Sequence, residues 1–322
     1  MPTLVDPSTS PPFPSFSISV SSAARLNTCT RQHYWAVYGS HRGWEEERKA
    51  GDPAHDAYVL KCGKTLGALV GESVHEIARQ AFDGAKLGLQ RDLRELRAVA
   101  HLRMADMIGD AHAGKWATNP RHEPMVLELF YDDATTWAGK VQRAREDLDA
   151  AIDALFVNEH FLAVTEGRAA PLYAEERREW AIALTPELGV KVWVQPDLVY
   201  APQNHASRRV VVDWKTGRAD EVRTQLGVYV GWLAEQEQLA VDDIVGVAVL
   251  LPQYTEKVER GAAKLVVDAL EHLRAAALVA LSFVEGGDPT RNQPKPIEAF
   301  AMLPEGSKPC KWCPYRRLCG RG

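Results

Sequence analysis

The sequence predicts an α/β protein with a mixed central β-sheet flanked by helices. Three observations carry that prediction. The order of segments is a helical block, three apolar runs, a helix, another apolar run and a last helix, which suits a sheet covered by helices. The runs LYAEERREWAIAL, VKVWVQPDLVY and RRVVVDWKTG are rich in β-branched and aromatic residues and are joined by the turn-like stretches TPELG and APQNHAS. Residues 63–82 instead repeat apolar side chains at helical spacing, with Leu66, Leu69, Val70, Val74, Ile77, Ala78 and Ala81 on one face.

In chain order, the Pro/Ser-rich residues 1–20 read as a disordered lead-in, and residues 21–322 as a single domain. Residues 21–38 mix aromatic and basic side chains around Cys29, and residues 42–54 are charged and read as a loop or surface helix. After the 63–82 helix come predicted helices over 91–113 and 136–161, separated by an irregular connector at 119–131. Together they form a helical insertion at about 85–165. Strands follow from Leu172, then a helix over 219–239, the strand DIVGVAVLLPQY, a helix over 261–284, and a Gly/Pro-rich passage into a cysteine cluster. No repeat period is visible.

Composition bounds the function. The chain has 322 residues, 46% hydrophobic and 25% charged, enough for one elaborated globular domain. No apolar run reaches the roughly 18 residues that span a bilayer. The first residues lack a basic and apolar leader, so no membrane partner and a cytoplasmic location are expected. A net charge of −5 argues against a protein that coats polyanions. It leaves room for an enzyme with local basic patches.

The chemistry concentrates between Asp197 and Tyr229. Asp213 and Lys215 end an apolar strand and, two residues apart, point the same way. Asp197 ends the preceding run. Carboxylates from neighbouring strand ends can hold Mg²⁺ or Mn²⁺ where it meets a phosphate, and a lysine beside them can orient water or stabilise developing charge. Alone, an Asp-x-Lys after a strand is as readily a surface ion pair. Gln225 and Tyr229, four apart on the following helix, share a face near the same strand ends. His75 sits on the apolar face of the first long helix, where a histidine is more often a packed core residue than a ligand.

Cys310, Cys313 and Cys319 crowd the C-terminus, and Cys29 is the natural fourth thiolate. Five cysteines in a cytosolic chain read as metal ligation rather than disulfides. Zinc sites more often show two close pairs, whereas a 4Fe-4S cluster takes four thiolates and fits three plus one. Cys62 reads as a small apolar residue. Basic residues Arg177, Arg178, Arg208, Arg209, Arg218 and Arg223 interleave with Trp180, Trp193 and Trp214, which suits single-stranded nucleic acid. Arg316, Arg317, Trp312 and Tyr315, beside the cysteines, are the better nucleic-acid-binding candidates.

In the order and joint presence of these motifs the chain resembles the PD-(D/E)XK nuclease superfamily, in its RecB-like exonuclease branch with an iron–sulfur cluster. That branch includes the CRISPR-associated adaptation nucleases and the AddB nuclease domain. RLNTCTRQHYW resembles the branch's N-terminal cysteine segment, with Thr30 where proline is common. GESVHEIARQAF resembles the helix of the motif histidine, WVQPDLV the first-carboxylate strand, VVDWKTG the second-carboxylate and lysine motif, QLGVY the Q-x3-Y motif, and CKWCPYRRLC the three C-terminal cysteines. A glycine usual before the first carboxylate is replaced by Gln195.

The resemblance implies a restriction-endonuclease-like core with a C-terminal cluster lobe completed by the Cys29 region. It also implies a DNA exonuclease or end-processing nuclease acting on single strands or frayed ends. Metal ligands would be His75, Asp197, Asp213 and the Trp214 backbone carbonyl. Asp197, Asp213, Lys215, Gln225 and Tyr229 would form the catalytic set, and Cys29, Cys310, Cys313 and Cys319 would hold 4Fe-4S. DNA is the expected partner, along with a helicase or integrase-type protein, since no GxxxxGK[ST] loop is present. Two other readings stand beside it: a catalytically silent nuclease-fold subunit that binds DNA in a recombination or defence complex, and a zinc-bearing interaction module.

Overall fold

The computed structural model describes residues 12–186, 188–203, 205, 207–217, 221–251, 255–259 and 263–321. Arg218, the start of the helix predicted over 219–239, and residues 1–11 of the predicted lead-in lie outside them. The rest of that lead-in contains a structured piece: β1 (Ser17–Ile18) pairs parallel to a later strand, and α1 (Val20–Thr28) starts on a Ser19–Ser22 capping box.

Helices α2 (Thr30–Tyr34) and α3 (Pro53–Cys62) precede the long α4 (Leu66–Lys86), whose N-cap is Thr65. Then come α5 (Leu93–His112), α6 (Leu127–Tyr131), α7 (Trp137–Phe156) and α8 (Glu159–Thr165). The connector expected to be irregular thus ends in a short helix. The strands are β2 (Ala169–Tyr173), β3 (Arg178–Ala183), β4 (Gly189–Val194), β5 (Leu198–Pro202) and β6 (Arg209–Lys215). They lead to α9 (Val222–Glu237), β7 (Ile244–Leu250), β8 (Thr255–Glu259), α10 (Ala263–Ser282) and α11 (Lys308–Lys311).

Five strands form a mixed sheet in the order β2-β5-β6-β7-β8, with β6 and β7 parallel and the other pairs antiparallel. Three more form a small sheet, β1-β4-β3. Two of the predicted strands therefore each divide in two. LYAEERREWAIAL breaks after Tyr173, and VKVWVQPDLVY breaks at Gln195–Pro196. At each break the chain leaves one sheet for the other. Pro196, which offers no backbone N–H to a ladder, accounts for the second break.

Alternation along the central strands sorts the core into two layers. Leu198, Val212, Trp214 and Val247 pack on α4, α5, α7 and α8 through Leu69, Ile77, Phe82, Leu148 and Phe161. Val199, Val211 and Ala248 pack on α9, α10 and the small sheet. A strand buried on both faces reads as a continuous apolar run, as Val210–Val212 does. The helical insertion is not a separate lobe, because its buried side chains belong to the same core as the sheet. On the other side, Gly227 lets α9 lie against α10, where a Cβ would come within 2.6 Å of the Leu265 carbonyl.

Candidate metal centre

The open end of β6 supplies the first two groups. Asp213 is fully buried, and Lys215, one strand period further, places its ammonium 2.8 Å from Asp213 Oδ2. Neither Asp213 oxygen has a hydrogen bond of good geometry among the described residues. Lys215, with His75 further off, balances this carboxylate. Burial, countered by Lys215, raises its pKa.

The two strand breaks supply the next groups, and they are joined: the Glu175 N–H donates to the Pro196 carbonyl at 3.2 Å. Asp197 follows Pro196 and is nearly buried. Its Oδ2 accepts the Trp214 N–H at 2.6 Å, which locks the two strand ends together. Glu175 lies in the first break with φ 54°, a left-handed turn that strand geometry forbids. That turn swings its carboxylate toward Asp197. The sequence reading missed Glu175 because it placed this residue mid-strand. The signal available was the charged stretch EERRE at 175–179, which interrupts the apolar residues on either side.

Helix α4 supplies His75. Gly71, one turn earlier, lets the helix approach the turn after β6, where a Cβ would meet Thr216 Oγ1 at 2.9 Å. His75 Nδ1 then lies 2.5 Å from Glu175 Oε1 and 3.5 Å from Asp197 Oδ1. Ligand atoms of His75, Glu175 and Asp197 all fall within 4.8 Å of one another, and no other such trio of His, Cys, Asp or Glu occurs among the described residues. Asp213 stands outside that tight group, against Lys215. The carboxylates are buried (side-chain exposure 8% for Asp197 and 0% for Asp213), while His75 and Lys215 keep 27% and 25% at the mouth.

Three acids gathered in so little water govern the electrostatics. Burial, reinforced by Asp213 and Glu175, raises the Asp197 pKa well above the usual range against the pull of His75. Burial opposes a charged His75, but Asp197, Glu175 and Asp213 override it and lift the imidazole to about 9. Lys215 is likewise held up by Asp213 and Asp197 against its own burial. A divalent cation answers this excess of acceptor groups directly. The test of fit is Asp213, a fully buried carboxylate whose close partner is the Lys215 ammonium and which has acceptor capacity to spare for a cation.

Gln225 and Tyr229 act together. The Gln225 amide donates to the Tyr229 hydroxyl at 2.5 Å, and that hydroxyl donates to the Gln195 carbonyl at 2.7 Å. The side chain of Gln195 in turn donates to the Glu175 carbonyl at 3.3 Å. The residue standing where a glycine was expected thus ties the second break to both α9 and the first break.

Burial pushes the Cys313 thiol up to about 12 against a hydrogen bond from the Tyr315 N–H, with Cys319, Cys29 and Cys310 close enough to add to it. The chain ends are stitched there: the Thr30 hydroxyl and the Arg31 N–H donate to the Ala301 carbonyl, and Tyr131 donates to the Pro314 carbonyl. Cys62 is partly buried, with Tyr58 as neighbour. Of the four nucleic-acid candidates, Tyr315 is turned inward at 2% exposure, so its ring cannot stack on a base. Arg316 lies over Tyr131 and donates to the Lys311 and Tyr131 carbonyls. Trp312 and Arg317 remain on the surface.

The family model of the PD-(D/E)XK nuclease superfamily matches residues 17–320. No curated protein matches the chain. Among solved structures it is similar to one described as "Crystal structure of SSO0001", at 16% identity over 56% of this chain and 79% of that one, with a TM-score of 0.25. A likeness that loose carries no argument.

Proposed function

The chain belongs to the PD-(D/E)XK nuclease superfamily, and from that premise we propose that it is a Mg²⁺- or Mn²⁺-dependent deoxyribonuclease that trims DNA ends, favouring single strands or frayed ends. The observation that carries this reading is the convergence of His75, Glu175 and Asp197 within 4.8 Å, beside an Asp213–Lys215 pair. His75, Glu175, Asp197 and Asp213 would hold the ion. The Trp214 carbonyl would join them, since its own N–H already faces Asp197. One imidazole among carboxylates suits Mn²⁺ better than Mg²⁺, which prefers oxygen throughout.

When bound, the ion polarises a phosphoryl oxygen and acidifies an attacking water. Lys215 keeps its proton, because Asp213 and Asp197 favour the charged form. Its ammonium therefore orients the water and stabilises negative charge on the phosphorus oxygens rather than acting as a base. Tyr229 and Gln225 touch no reacting atom in this scheme. They hold the Gln195 carbonyl, and so the Pro196–Asp197 turn, in place. Water excluded by the buried acids makes each of these charges count for more.

The RecB-like, cluster-bearing branch is the assignment we favour within the superfamily. Cys29, Cys310, Cys313 and Cys319 supply the four thiolates that a 4Fe-4S group requires. Its role would be structural, pinning the two chain ends.

The test is cleavage of end-labelled and circular single- and double-stranded DNA across a titration of both metals. Loss of label from linear single strands, dependent on either metal and absent on circles, supports the reading. Binding to DNA with no cleavage by either metal replaces it with a silent nuclease-fold subunit.

A further inference from the structure

We propose that Arg177, held flat against Trp193, binds the backbone phosphate of a single strand next to the one being cut. This subsite rests on the nuclease reading above. A cavity of about 300 Å³ opens beside the acidic cluster, lined by Arg177, Trp193, Gln195, Gln225 and Tyr229, with Ser19 and Ser21 across from them. Gln195 belongs to both places: it lines the cavity, and its amide nitrogen lies 3.4 Å from Glu175 Oε2. The cavity therefore adjoins the metal centre through Gln195.

The guanidinium carbon of Arg177 lies 3.7 Å from the centre of the Trp193 ring. Stacking covers one face of the guanidinium but leaves its in-plane N–H edge free, and that edge matches phosphate oxygens. Nearby carboxylates are engaged elsewhere: Glu176 pairs with Arg178, and Glu179 with Lys191 at 2.8 Å. Among the described residues none pairs with Arg177. An unpaired guanidinium held still by an aromatic ring has already lost much of the side-chain freedom that binding would otherwise remove.

Position selects the ligand. Arg177 is two residues beyond Glu175, and Trp193 two before Gln195, on the two chain segments that carry the metal-facing acids. Of the remaining lining groups, Gln225 and the serine hydroxyls suit sugar or base edges, while Glu221 places one carboxylate on the cavity wall. A phosphate contact of this kind carries no sequence information, so the subsite serves strands of any sequence.

The test compares the full-length wild type with Arg177→Ala, Arg177→Lys and Trp193→Leu, using a labelled oligothymidylate in calcium for binding and in manganese for cleavage. Arg177→Ala is expected to weaken binding about tenfold and to lower the slope of log affinity against log salt by about 0.7. KM should rise in step, with kcat within about twofold. Arg177→Lys restores the salt slope but not the full affinity, and Trp193→Leu adds nothing to Arg177→Ala. Unchanged affinity and slope in Arg177→Ala overturn the subsite, as does loss of manganese binding in that variant, which would make Arg177 a prop for the Glu175 turn. If the wild type cuts nothing but Arg177→Ala still loses strand binding, the nuclease reading fails and the subsite stands. If the wild type cuts and Arg177→Ala behaves identically, the reverse holds.

Discussion

At the scale of single residues, the centre is a problem of charge in a dry place. Asp213 is fully buried with Lys215 as its close partner, so its carboxylate would be costly in isolation and is useful beside a cation. Asp213→Asn should keep the fold, since it removes a buried charge without changing shape. Oligonucleotide cleavage should fall by roughly a thousandfold, the scale of several kcal/mol of lost charge stabilisation. Equal melting curves with retained cleavage would show that Asp213 only pairs with Lys215. Tyr229→Phe is the contrasting case. It removes a hydroxyl that serves both Gln225 and Gln195, leaving two groups short of a partner at a cost of about 1–3 kcal/mol. Turnover should drop by roughly ten- to a hundredfold through misplacement of Asp197, with manganese affinity reduced in parallel; a normal rate with only lowered stability would separate the Q-x3-Y pair from the site.

At the scale of elements, what the chain needs is placed by where strands stop. The Asp213–Lys215 pair on β6 was legible because a strand has period two, and the two had to share a side. The 3.6-residue repeat set His75 on the apolar face of α4, where it read as a core residue, and only the family resemblance brought it to the acids. Glu175 was missed because the charged stretch EERRE marks a break in LYAEERREWAIAL without saying which of its acids turns inward; the left-handed turn between strands of different sheets does that. The same logic marks Gln238, which ends α9 with φ 55°. Gln238→Gly should raise stability by up to about 1 kcal/mol in chemical unfolding; no gain would mean the side chain compensates. On α2, burial and then Arg25 push His33 down to about 4. A histidine kept neutral in the folded state contributes its stability above the unfolded pKa of about 6.5 and loses it as pH falls toward 4. Urea unfolding should therefore show a loss of about 2 kcal/mol between pH 7 and pH 5 from this group, flattened in His33→Gln.

At the scale of the whole molecule, two helix layers clamp one mixed sheet, and the reactive groups collect where the five-stranded sheet exchanges chain with the small one. The mixed sheet between helices was readable from segment order. Its division into two sheets was not, because the interruptions EERRE and QPD do not say which strands pair on either side of them. Nor was the merging of the helical insertion into the main core, which depends on which faces of α5 and α7 meet α4. The two chain ends meet at the cysteines, so Cys310→Ser should abolish the visible absorption of anaerobically purified protein and lower its melting temperature; a colourless wild type containing zinc would remove the cluster. The account depends most on the ion. A crystal soaked in manganese, recorded at the manganese absorption edge, should show one anomalous peak bounded by His75, Glu175, Asp197 and Asp213, and that peak should vanish in Asp213→Asn. A peak elsewhere, or none at this cluster, would contradict it.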